Sequence, residues 1–238
     1  MIEKKRRNKA RTASLKYEAE YFRNGYTRIV GIDEAGRGPL AGPIMVGAVA
    51  LPLQRRDLSG VLRGVRDSKQ MTSAQRELLS EVIREVALSW GVGEASAEEI
   101  STLNLNGATR LAVSRALEDM QERSPDFEPD ALFVDYMAWP PPMPIHQLSI
   151  VKGDQHSLSI AAASVLAKVT RDAWMVDVAA AEFPHYGFEK HKGYGTEEHI
   201  AALKQYGVTP LHRTNFAPIR DVIAGREPGS WYSVADDQ

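Results

Sequence analysis

An apolar run that ends in two adjacent carboxylates, with a glycine-flanked arginine directly behind them, constrains this chain more than any other segment. Ile29, Val30, Gly31 and Ile32 deliver Asp33 and Glu34, and Gly36-Arg37-Gly38 follows. Acids alone repel a phosphate. A Gly-Arg-Gly loop alone attracts one, through bare backbone N–H groups and a guanidinium. The two are compatible when a divalent cation sits between the acids and a phosphodiester, which points to metal-dependent chemistry on a nucleic acid. Adjacent strand residues face opposite sides of a sheet. Asp33 and Glu34 can therefore serve one site only at a bulge or strand end, or if one of them contributes its backbone carbonyl.

The rest of the chain supports a soluble α/β reading. Its 238 residues allow one large domain with an appended subdomain, and 43% hydrophobic content is enough for an ordinary core. With no cysteine, disulfides and thiolate metal sites are excluded, and a cytoplasmic setting is expected. The first residues are basic (Lys4, Lys5, Arg6, Arg7, Lys9, Arg11) but no apolar segment follows, so they do not read as a secretory signal. No apolar run is long enough to span a bilayer. The net charge of −2 is unusual for a nucleic-acid binder, yet basic residues gather at the N-terminus, around 63–69 and at 190–192.

Periodicity and capping signals divide the chain. Residues 1–12 read as disordered and 13–24 as a short helix. Strands are expected at 28–35 and 43–51, an antiparallel pair across a Gly/Pro turn, and again at 88–95, 131–135 and 146–151. Thr72 and Gln75 form a capping box that opens a helix with Leu78, Leu79, Val82, Ile83 and Val86 on its apolar face. Ser96 and Glu99 open a short helix, and a longer one is expected over 106–122. A long helix over 157–183 carries the small residues Ala161, Ala162, Ala163, Ser164 and Ala167, which permit close approach to a sheet. Further helices are expected at 196–206 and 216–224. The expected divisions are a basic arm with a short helix at 1–24, a main domain at 25–187, a helical cap at 188–225 and a flexible tail at 226–238. Early antiparallel strands followed by alternating strands and helices predict a mixed sheet with helices packed on it.

Two further acids stand at predicted strand or loop ends, Asp135 after Ala131-Leu132-Phe133-Val134 and Asp154 after Lys152-Gly153. With Asp33 and Glu34 they make an all-oxygen set, which favours Mg²⁺ or Mn²⁺ over zinc and could bind two ions about 4 Å apart. The histidines lack zinc spacing. Gly36-Arg37-Gly38-Pro39-Leu40-Ala41 also matches a dinucleotide-binding pattern, but Pro39, Gly42 and Pro43 stand where that pattern needs a helix.

At these residues the chain resembles the ribonuclease HII (type 2 ribonuclease H) family. The resemblance runs in family order through GIDEAGRGPLAGP at 31–43, Asp67-Ser68-Lys69, VKGD at 151–154, SIAAASVLAKVTRD at 159–172, HKGYGT at 191–196 and HRTNFAP at 212–218. It implies an α/β, RNase H-like mixed β-sheet flanked by helices, with a small C-terminal helical subdomain. It also implies an endoribonuclease that cuts the RNA strand of RNA–DNA hybrids and cuts 5′ of single ribonucleotides embedded in duplex DNA. Two Mg²⁺ or Mn²⁺ ions would be held by Asp33, Glu34, Asp135 and Asp154, and the products would carry 5′-phosphate and 3′-hydroxyl ends. By the same resemblance Gly36, Arg37 and Gly38 sense the ribose 2′-OH, the group that separates RNA from DNA at one position. Tyr194 would pack on the next sugar. Ser68 and Lys69 are candidate phosphate contacts, with Lys152, Lys168, Lys192 and Arg213 as weaker ones. Asp172 reads as structural. Tyr136-Met137 departs from the family, which commonly has glycine after that acid.

A monomer is expected, with no membrane association and no sliding-clamp peptide in the tail. Two other readings stay open on sequence: an RNase H-like nuclease without junction specificity, and a non-catalytic hybrid-binding module.

Overall fold

The local signals become, in chain order, α1 (Lys16–Arg23), β1 (Ile29–Ala35), β2 (Ile44–Ala50), α2 (Leu58–Val61), a 3₁₀ turn (Ser68–Gln70), α3 (Ser73–Val86), β3 (Ser89–Ala95), α4 (Ala97–Arg123), β4 (Ala131–Asp135), β5 (His146–Ile150), α5 (Gly153–His156), α6 (Leu158–Trp174), a π-turn (Met175–Ala179), α7 (Ala180–Glu182), α8 (Phe188–His191), α9 (Glu197–Tyr206) and α10 (Ala217–Ile223). The structure is a computed structural model describing residues 12–135 and 145–227. The readings of the basic arm before Thr12, of Tyr136-Met137, of the prolines at 140–144 and of the tail past 227 lie outside the described residues.

The strands form one five-stranded sheet in the order β3-β2-β1-β4-β5. β1 and β2 are antiparallel, as are β2 and β3, whereas β4 runs parallel to β1 and β5 parallel to β4. Both faces are covered. On one, Val30, Ile32, Val46 and Ala48 pack against Ala108, Ala112, Val113 and Ala116 of α4. On the other, Val49 and Leu51 pack against Leu158, Ala161, Ala162 and Ala163 of α6. Each helix approaches the sheet at backbone distance. A Cβ on Gly47 would lie 2.3 Å from the Ala163 carbonyl oxygen, and one on Gly93 would lie 2.0 Å from that of Ala112.

Both predicted capping boxes are made in full, at Thr72/Gln75 and at Ser96/Glu99. The two helices expected after Ser96 are continuous except at Asn104, which leaves helical geometry (φ 59°, ψ 172°). Its Oδ1 accepts from the N–H groups of Asn106 and Gly107 and so caps the second segment. One expectation needs correction. Leu78 is 68% exposed, because the apolar stripe of α3 turns Leu79, Val82 and Ile83, not Leu78, toward the core. The helix expected over 157–183 forms as one helical run of α6, the π-turn and α7, and the π-turn seats Met175 where a Cβ on Gly42 would fall 2.4 Å from its sulfur. No helix among the described residues is long and apolar enough to cross a membrane.

The contact at Gly47 makes a testable case. Gly47→Ala forces backbone apart and is expected to lower the stability read from urea unfolding by about 3 kcal/mol. Gly60→Ala, with nothing within 4 Å of the added carbon, is expected to stay within about 1 kcal/mol of the parent, on the stabilising side.

Candidate active site

The centre of the sheet delivers the acids. β1 pairs with β4 from Ile29↔Ala131 to Ile32↔Val134, and continuing that register sets Asp135 beside Asp33. The β1–β2 register is unbroken from Val30↔Ala50 to Ala35↔Met45, so no bulge forms; the two acids of β1 reach one cleft because they lie past the last pair of β1 with β4. Asp33 shares the face of Gly31, toward α6, where the nearby Ser164 hydroxyl favours its ionised carboxylate. Its Oδ1 also accepts from the Glu34 N–H at 2.9 Å. Glu34, on the α4 side, lies 3.8 Å from the Arg37 guanidinium. Asp154 enters from α5, in a turn tied to β4 by the Gly153 N–H donating to Asp135 Oδ1 at 3.0 Å.

These residues line an open cleft of about 330 Å³ together with Gly36, Arg37, Gly38, Asp67, Ser68, Lys69, Lys168 and Tyr194. All ten residues singled out from sequence as the candidate site therefore meet in one place. Their side chains are differently engaged. Arg37 donates to Thr109 Oγ1 (2.9 Å) and Asn106 Oδ1 (2.8 Å) of α4, which holds its guanidinium against the sheet-covering helix. Ser68 Oγ lies 2.8 Å from Ser164 Oγ, so its hydroxyl belongs to the chain of contacts that ends on Asp33. Tyr194 stands against Gly38, its ring edge 3.8 Å from where a Cβ would be.

Of the weaker phosphate candidates only Lys168 lines the cleft. Lys168 pairs with Asp172 at 2.8 Å, and Arg76 reaches the same acid at 3.5 Å, which gives Asp172 the structural part read from sequence. Lys192 donates to the Glu189 carbonyl, and Lys152 is exposed outside the cleft. Arg213 is fully buried and bonds only backbone carbonyls, so it cannot touch a phosphate. Sequence reading did not single out the carboxylate of Asp67, the hydroxyl of Ser164 or the histidines behind Tyr194. His199 Nδ1 bonds the Tyr194 carbonyl at 2.9 Å, and its Nε2 lies 3.0 Å from His212 Nε2. Asp67 stood in a quoted triplet; the Ser164 contact joins distant parts of the chain and leaves no local signal.

The cleft is electrostatically strained. Burial, then repulsion from Glu34, Asp135 and Asp154, raises the Asp33 carboxyl well above the usual range. Burial raises Glu34 to about 7, with Arg37 opposing. Burial and the neighbouring Asp67 raise Asp154 to about 7. Glu34 Oε2 is buried with no hydrogen-bond partner. A hard divalent cation fits this oxygen-rich set, since it would relieve the repulsion and satisfy the orphaned oxygen. As the side chains stand, no three acids or histidines among the described residues close into a ligand set.

With the geometry in view, relatives can be weighed. A family model described as Ribonuclease HII matches residues 30–219. The chain belongs to the ribonuclease HII family. Ribonuclease HII of Geobacillus kaustophilus is 48% identical over 213 residues, which is 90% of this chain and 77% of that protein. That of Halalkalibacterium halodurans is 46% identical over 213 residues, 90% of this chain and 76% of its own. The crystal structure of ribonuclease H2 from Pyrococcus horikoshii OT3 matches with a TM-score of 0.66 at 25% identity, covering 83% of this chain and 98% of that one. The sheet and its helices thus have the RNase H-like fold, and members of the family are hydrolytic endonucleases of the ribonuclease H type that depend on divalent metal.

The raised carboxyls have a pH consequence. In the metal-free protein the folded state holds protons that the unfolded chain has lost. Stability from Glu34 and Asp154 is therefore full below the ordinary carboxylate range and falls as pH rises through about 7. A cation must displace those protons. Calorimetry of Mg²⁺ or Mn²⁺ binding in buffers of different ionisation enthalpy is expected to show proton release at pH 6 that vanishes above pH 8, with affinity climbing between. Binding without proton release at pH 6 would contradict the coupling.

Proposed function

We propose that this protein cuts the RNA strand of RNA–DNA hybrids, and cuts 5′ of a single ribonucleotide embedded in duplex DNA, by two-metal-ion hydrolysis that leaves 5′-phosphate and 3′-hydroxyl ends. The observation that carries this reading is the meeting, in one cleft, of four acids with the Gly36-Arg37-Gly38 loop and Tyr194. The natural role that follows is removal of misincorporated ribonucleotides from DNA.

Asp33, Glu34, Asp135 and Asp154 would hold the ions. When bound, Mg²⁺ or Mn²⁺ supplies activation of the attacking water and stabilisation of the leaving 3′-oxygen. The protein's own groups set the geometry. Ser164 and the Glu34 N–H orient Asp33, and the Gly153 N–H orients Asp135. Lys69 lowers the cost of negative charge at Glu34 and Asp154 and offers a cation to a phosphate. The Arg37 side chain is committed to α4, so the loop is suited to read a ribose through its backbone. Tyr194, held against Gly38, would bear on the neighbouring sugar.

The test is cleavage of a labelled DNA duplex carrying one ribonucleotide, beside an RNA–DNA hybrid and an all-DNA duplex, with Mg²⁺, Mn²⁺ or chelator. A metal-dependent cut 5′ of the ribonucleotide, with DNA untouched, is expected. Asp33→Asn should lose several orders of magnitude of cleavage while melting as a folded protein; near-normal turnover would refute its role. Tyr194→Ala should cost the single-ribonucleotide duplex about tenfold more than the hybrid, a loss typical of one aromatic contact. Equal losses on both would remove its junction role.

A further inference from the structure

Arg171 and Arg213 are the two largest fully buried side chains among the described residues. Every hydrogen bond that either guanidinium makes goes to a backbone carbonyl, and all those carbonyls belong to residues 36–43. Arg213 donates through Nε to Gly42 (3.0 Å), through Nη1 to Arg37 (3.0 Å), and through Nη2 to Gly36 (2.5 Å), Gly42 (2.9 Å) and Pro43 (3.2 Å). Arg171 donates through Nε to Pro43 (2.9 Å) and through Nη2 to Ala41 (3.1 Å). Burying a guanidinium away from a carboxylate is costly, and here two sit behind one loop. Burial lowers both, Arg213 to about 9, so Arg213 remains charged at neutral pH.

The direction of these bonds matters. In a trans peptide the C=O and the following N–H point opposite ways. When the carbonyls of Gly36 and Arg37 turn inward to Arg213, the N–H groups of Arg37 and Gly38 must turn outward, and these residues line the cleft. The same clamp reaches the tyrosine. The Arg213 N–H donates to the Leu40 carbonyl, while the N–H groups of Leu40 and Ala41 donate to the carbonyl of Gly193, next to Tyr194.

We propose that Arg213, assisted by Arg171, is a positioning residue for ribose recognition: by taking the carbonyls of Gly36 and Arg37 it aims the N–H groups of Arg37 and Gly38 at the 2′-hydroxyl. This rests on the reading of the loop given under Proposed function. A long hybrid offers a ribose in every register, so a loosened loop still finds a productive one. A single ribonucleotide offers only one, so its cleavage depends on the aim of the loop.

The experiment compares kcat/KM on a duplex with one ribonucleotide and on an RNA–DNA hybrid of the same sequence, using one preparation of each variant. The ratio of the two is independent of the fraction folded, so a merely structural role would not move it. Arg213→Lys keeps the charge but lacks the fork that reaches both carbonyls. Its ratio is expected to fall by about tenfold or more, the worth of one aligned hydrogen bond. Arg171→Lys, which loses contacts farther along the loop, is expected to lower the ratio less. An unchanged ratio in folded Arg213→Lys overturns the proposal. If that variant does not fold, Arg171→Lys decides: an unchanged ratio, or failure to fold as well, reduces the pair to scaffolding and overturns it. The loop reading fails separately, if the parent protein does not cut at the single ribonucleotide. If the parent cuts there and Tyr194→Ala lowers the ratio while Arg213→Lys does not, only the positioning role is lost.

Discussion

The backbone-to-backbone approach of α6 to the sheet is the constraint on which the rest of the molecule depends. Gly47, with no Cβ, and the run Ala161-Ala162-Ala163 let the helix lie against β2 at a distance no ordinary pair of side chains would allow. At that distance one helix serves several tasks along its length. Ser157 caps it, and its Oγ donates to the buried Glu18 of α1 at 2.6 Å. Ser164 reaches Asp33, Lys168 lies 5.9 Å over the Tyr194 ring, and Arg171 takes up loop carbonyls. A shift of the helix by a single methyl group would disturb the core and the cleft together.

The cleft shows the opposite economy. A packed core places groups where they stabilise, but the acids of β1, β4 and α5 stand where they repel one another and are stripped of water. Such an arrangement lowers the stability of the metal-free fold at neutral pH, and a divalent cation would relieve it. Behind it sit two buried arginines with carbonyls for partners. The acids and the arginines are separated by the loop of residues 36–43, so the loop lies between a cation-seeking site and a rigid cationic clamp.

Much of this was readable along the chain wherever the cause is local. The capping boxes at Thr72 and Ser96 need only four residues each, and both formed. The central strands were readable because fully buried apolar runs bounded by glycine and proline leave few alternatives. Leu78 was misread because helical periodicity defines a stripe but not its edge, and only the packing of α3 on α6 decides which residue falls outside it. The π-turn after Trp174 was invisible for a similar reason: the widened turn lodges Met175 beside Gly42, more than a hundred residues earlier in the chain.

The residue types and order along the chain were enough to point to the family and to propose a chemistry: acids at strand ends, a glycine-arginine-glycine loop, a tyrosine between glycines, and no thiol. Those properties belong to single residues and short spacings, which a linear text preserves. Which groups hold them in place was settled only by folding. Ser164 reaches Asp33, Arg213 reaches Gly36 across 177 positions, and His199 backs Tyr194 in contact with His212. A hydrogen bond between distant segments depends on the path of the whole backbone between them, and no local pattern encodes that path.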